Sequence, residues 1–131
     1  MMQFPNEKQL QRLKEKYPAG TILKVISMDD PYHPIPPETL GEVTMVDDAG
    51  TIHMRWQNGS SLGIIEGVDS FEVVDGVKTI CYNETKLWAS RKEAVDFFLV
   101  GMHESDGSEK HRYLNVYLKL MAGETIADDS D

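Results

Sequence analysis

The sequence has one cysteine, Cys81, no apolar run near the length of a membrane span, and too few positive charges to balance its negative ones. One thiol cannot close an internal disulfide, and a free thiol beside seven methionines suits a reducing interior, so a cytoplasmic protein is expected. The longest apolar stretch, Phe97-Phe98-Leu99-Val100, is a helix-sized patch, far below the roughly 20 residues a spanning helix needs. Residues 1–7 carry neither a basic region nor an apolar segment, and no signal peptide is expected. Thirteen lysines and arginines stand against 22 aspartates and glutamates, a formal net charge of -9. Through residue 75 the balance is 6 basic to 12 acidic, and beyond it 7 to 10. Neither half offers the positive field that a phosphate backbone requires, which disfavours DNA, RNA and anionic membrane as main partners.

Patterns that carry chemistry are equally scarce. His33, His53, His103 and His111 are scattered, and with one cysteine they offer no zinc spacing. Asp29-Asp30 and Asp47-Asp48 fall where turns want aspartate and do not match the spaced ligands of a calcium loop. Gly59-Ser60-Ser61-Leu62-Gly63 opens a strand, whereas a phosphate-cradling loop opens a helix. Cys81 falls in an expected strand with no histidine close in sequence, so the default is an inert thiol. The expectation is a non-enzymatic protein without metal or cofactor.

What is present is a chain of 131 residues, enough for one ordinary domain or two very small ones. A short amphipathic helix is expected over 7–17, with Asn6 and Gln9 spaced as a capping box and Leu10, Leu13 and Tyr17 on one side. Residues 21–27 form a strand, and four prolines keep 28–40 an extended loop. From 41 to 62 the pattern alternates. Val43 and Met45 share one face, then Ile52, Met54 and Trp56, and Asn58-Gly59 turns the chain toward a third strand with Leu62 and Ile64. Residues 71–74 would close a small, strongly bent antiparallel barrel of the SH3-like kind.

Beyond Asp75-Gly76 the pattern changes. A hairpin is expected from 78–82 and 86–88 through Asn83-Glu84-Thr85, followed by a helix opened by Ser90-Arg91-Lys92-Glu93. Ala94, Val95, Phe98, Leu99 and Met102 would face inward, and on a second helix over 108–121 Tyr113, Leu114, Tyr117, Leu118 and Met121. The fold class expected is α+β: a helix plus SH3-like barrel over 1–75, a ββαα unit over 76–124, and a disordered acidic tail over 125–131.

Trp56 ends its strand, where an aromatic can line a ligand groove, although alternation also places it in the core with Ile52 and Met54. Together with Tyr32, on the proline-stiffened loop, it could form an aromatic cleft for an extended peptide. A rigid connector is an equal reading of the loop. His53 and Arg55, on the alternate face of the same strand, complete the candidate ligand-binding set of Tyr32, His53, Arg55 and Trp56.

Residues 28–32 (Met-Asp-Asp-Pro-Tyr), 41–53 (Gly-Glu-Val-Thr-Met-Val-Asp-Asp-Ala-Gly-Thr-Ile-His) and 56–62 (Trp-Gln-Asn-Gly-Ser-Ser-Leu) resemble the bacterial domain-of-unknown-function 4314 family. The resemblance covers about the first 75 residues. Residues 90–94 and 112–117 resemble a companion segment in proteins of Gram-positive gut bacteria and their mobile elements. The family carries no assigned activity. What the resemblance implies is an SH3-like barrel and an association with plasmids or conjugative elements. The function expected is that of a non-enzymatic module binding a protein or extended peptide. The alternative is a nucleic-acid-binding accessory factor, which needs Lys24, Arg55, Lys86 and Arg91 to converge on one face.

Overall fold

A computed structural model of the chain describes residues 4–131. The polypeptide divides into two compact units, Met1–Val73 and Val74–Asp131, each with its own hydrophobic core.

The first unit begins with α1 (Glu7–Lys16). Asn6 accepts from the Gln9 amide and the Gln9 side chain accepts from the Asn6 amide, so the capping box is complete. Leu13 on α1 and Tyr17 just beyond it are buried against the sheet. That sheet contains β1 (Ile22–Ser27), β2 (Leu40–Val46), β3 (Ile52–Trp56) and β4 (Ser70–Val73), in the order β3-β2-β1-β4, with every pairing antiparallel.

The sheet is open and does not close into the expected barrel. Beyond β3, residues 57–69 form one bridge with it, Ile52 to Ile64, besides the bonds from Trp56 to Ser60 and Leu62. Ser60, Ser61 and Gly63 favour strands poorly, so the segment does not run along β3 as a further strand. The phase of β2 also differs from simple alternation. A bulge between Val43 and Met45 turns Met45 outward and brings Val46 inward. The expected inward row Ile52, Met54 and Trp56 is buried throughout.

The second unit contains β5 (Val77–Cys81), β6 (Glu84–Trp88), α2 (Arg91–His103), α3 (Gly107–Met121) and β7 (Ile126–Asp128). Tyr82 and Asn83, at φ 53° and 61°, make the two-residue hairpin turn between β5 and β6, tighter than the turn expected over 83–85. Ser90 caps α2 by accepting from the Glu93 amide.

Residues 125–131 are not a disordered tail. β7 pairs in parallel with β5, giving the order β6-β5-β7 and a ββααβ unit in place of ββαα. Ala127 is fully buried, and the charges around it are answered from α3. Lys119 donates to Asp128 Oδ1 at 2.5 Å, Arg112 to Asp129 at 2.9 Å and Asn115 to Asp131 at 2.9 Å. The extra strand also changes the buried face of α3. Val116 and Leu120 are in the core, while Leu118 and Met121, expected inside, are exposed.

Candidate functional site

The four residues proposed from the sequence do not form a cleft. Trp56 is 2% exposed, and its indole nitrogen donates to the Leu62 carbonyl at 2.8 Å, so it is a core residue and not a ligand surface. Its neighbour across the sheet explains this: Gly41 is in register with Trp56, and the indole lies on the glycine, filling the space a side chain would take. Tyr32 is 83% exposed on the loop after β1, held by Asp30 accepting from its backbone amide. His53 bonds Asp47 at 2.8 Å, and Arg55 bonds the buried Glu42 at 3.1 Å. The Asp47 carboxyl is held below its ordinary range by His53 first, with the Thr51 amide adding to it.

The cations that a nucleic-acid surface would need are engaged within the chain. Lys24 lies 3.0 Å from Glu72 and 3.5 Å from Glu38. Arg91 donates to the carbonyls of Leu120 and Glu124, each at 2.8 Å, and of Gly123 at 3.2 Å. Lys86 lies over the rings of Trp88 and Phe97, 4.1 and 5.3 Å from their centroids.

The second unit does offer a site. On β6, residues 84, 86 and 88 face the helices, and Trp88 is fixed there by donating its indole N–H to Thr79 Oγ1 at 2.9 Å. Phe97 of α2 packs on Trp88 at 5.2 Å between centroids, Phe98 joins edge-on, and Tyr113 of α3 lies 5.9 Å from Phe98. α2 and α3 approach closely at Gly101, where an added Cβ would come within 3.0 Å of the Tyr113 ring. Between these groups runs an open groove of about 690 Å³, floored by Trp88, Phe97, Val100 and Tyr113. A smaller depression of about 200 Å³ continues past Trp88, Phe97 and Tyr113 to Lys86 and Tyr82.

The rim has one sign of charge. Glu93, Asp96, Glu104 and Glu109 line the groove, and no lysine or arginine does. Asp96 is answered by Lys92 at 2.6 Å, and Glu109 accepts from the Tyr113 hydroxyl at 3.0 Å. Glu93 and Glu104 have no side-chain partner among the described residues. Ser105, at one end, donates its hydroxyl to the Gly101 carbonyl at 2.6 Å. Cys81, on the floor of the smaller depression, has its thiol pushed up to about 11, by burial first and then by the charge of Asp129.

A signal for this groove was present in the sequence. Glu93, Asp96, Phe97, Val100 and Glu104 recur at helical spacing, which puts apolar and acidic groups on a single stripe of α2. The core-facing residues of α2, Ala94 and Phe98, make a separate stripe.

The family model described as Domain of unknown function (DUF4314) matches residues 6–74, just over half of the chain. The chain belongs to this family. The DUF4314 match ends at the boundary of the first unit, so the groove lies wholly outside the matched segment. No curated protein and no solved structure matches the chain. No helix among the described residues is long and apolar enough to cross a membrane.

Proposed function

We propose that this protein is a non-enzymatic module that binds a protein or extended peptide, and that its binding site is the aromatic groove of the second unit. The observation that carries the reading is the half-exposed Phe97 on the Trp88 floor, in an open groove of about 690 Å³. Specific sites for small ligands and peptides have this size and combine an apolar floor with a few polar groups at the edge. Aromatic groups left at a surface contribute large contact area for little lost conformational freedom. The groove's polar groups are carboxylates on the rim and a hydroxyl already donating to a helix carbonyl. They are placed to orient a ligand. The thiol beside them keeps its proton at neutral pH, which suits a structural role better than a nucleophilic one.

The test is a direct one. Selection of a displayed random-hexapeptide library on the full chain should yield binders that Phe97→Ser abolishes while leaving the circular dichroism spectrum unchanged. Binders indifferent to Phe97→Ser would sink this reading. A mobility-shift titration with mixed DNA and RNA at low salt should show no complex, because Lys24, Arg55, Lys86 and Arg91 are each engaged within the chain.

A further inference from the structure

Two features of the groove say more about its occupant than its size does. The first is Lys86. Its ammonium group sits 4.1 Å from the centre of Trp88 and 5.3 Å from that of Phe97, so the aromatic floor already binds a cation of this chain's own. A ring face attracts a cation through its quadrupole, and attracts any ammonium or guanidinium group that reaches the same place. Lys86 is itself exposed and has no carboxylate within ion-pair distance among the described residues, so nothing but the rings holds it.

The second feature is Glu104. It occupies the C-cap of α2, where its backbone amide donates to the Val100 carbonyl and the negative end of the helix dipole disfavours a carboxylate. It has no side-chain partner among the described residues. Glu93 on the same stripe is also without a side-chain partner. Both line an aromatic groove with no lysine or arginine in its own lining, and Lys86 stands over the same rings from the adjoining depression.

From this complementarity we infer that the groove takes a basic segment of a partner protein. A lysine or arginine side chain would seat over Trp88 and Phe97 in the place where Lys86 now sits, and an adjacent aliphatic residue would lie on Val100 and Tyr113. Glu93 and Glu104 line the groove about three turns of α2 apart, so they would attract positive charge along the segment and not pair with a single cation. Lys86 then acts as an internal competitor that the incoming cation displaces. The inference rests on the groove being the binding site, and adds the chemistry of what it binds.

The experiment is the hexapeptide selection on the full chain, with the chosen sequences then measured by fluorescence anisotropy. The expected result is enrichment of lysine or arginine next to leucine, isoleucine or valine. Glu104→Lys should weaken such a peptide about tenfold, the size of effect that losing and reversing one close charge produces. Because lysine suits a helix C-terminus, that variant should keep its thermal stability, which separates lost recognition from lost fold. Lys86→Met should tighten binding about threefold by removing the competitor. Acidic or uncharged binders that still require Phe97 would overturn the cation inference and leave the groove as the site. Binders insensitive to Phe97→Ser would remove both. Lys86→Met binding that is unchanged or weaker would overturn the shared seat.

Discussion

Gly41 and Cys81 are the residues whose surroundings determine their behaviour most sharply. A methyl group on Gly41 would clash with Trp56 Cε3, inside any contact real atoms tolerate. The ring is held by its bond to Leu62 and by the buried core around it, so it cannot swing away without cost. Gly41→Ala should therefore cost about 2–3 kcal/mol by overpacking, read as a lower urea midpoint and a red shift of the buried tryptophan emission. Cys81 is governed by electrostatics. With its pKa at about 11, the thiol should react with iodoacetamide at pH 8 on the order of a hundredfold more slowly than a free thiol. Urea should restore the ordinary rate, and Asp129→Asn should restore part of it, because Asp129 is the second cause of the shift after burial.

At the scale of elements, the guanidinium of Arg91 closes the end of α3. It sits at the first position of α2, yet donates to three carbonyls at and beyond the C-terminus of the other helix. The Leu120 carbonyl also accepts from the Gly123 amide, and the Gly123 and Glu124 carbonyls lie just past the helix end. Arg91→Ala should destabilise the protein by about 2 kcal/mol in urea denaturation. Arg91→Lys should recover less than half of that, since an ammonium cannot reach three acceptors in one plane. How far such elements were legible from sequence follows from the distance over which their causes act. α1 was readable because its cap is made by Asn6 and Gln9, three residues apart. The burial of Trp56 needs the register that sets Gly41 against it, and the bulge at Thr44 has no local sign. β7 is not legible locally because a run of Asp, Asp, Ser and Asp looks solvated by itself. Its partners, Arg112, Asn115 and Lys119, lie on another element. The groove is hidden for a related reason: its floor combines Trp88 of β6 with Phe97 and Val100 of α2 and Tyr113 of α3.

For the whole molecule, the acidic excess makes stability depend on pH in a definite direction. Glu66 is lowered to about 2 by the Tyr17 hydroxyl first, with Arg12 and Lys16 adding to it, and Asp128 to about 2 by Lys119 and Ser130. Asp30, Asp47, Asp129 and Asp131 are lowered as well. Each group takes up its proton more readily in the unfolded chain, near its ordinary value of roughly 4. Their stabilisation is thus complete above about pH 5 and is lost as pH falls through the folded values toward 2. On the alkaline side Lys16, Lys24 and Lys92 are raised by Glu66, Glu72 and Asp96, and the protons of Tyr17 and Cys81 are also held more tightly in the folded chain. Those contributions are lost as pH climbs past the unfolded values of roughly 9 to 10. The urea midpoint should be flat from about pH 5 to 9 and should fall on both sides. A decline already present between pH 7 and 5 would contradict these assignments.

The parallel pairing of β5 with β7 has a consequence in time. The hairpin of β5 and β6 can form as soon as its residues exist, but Lys78 waits for Thr125 to accept its amide proton, and Ile80 waits for Asp129 to donate one. Both helices must be synthesised in between, so the sheet is completed last, by a slow, long-range closure. Until then β5 shows an unpaired edge, and a nascent or prematurely terminated chain ending before residue 125 would carry that edge permanently, as a template for pairing with its neighbours.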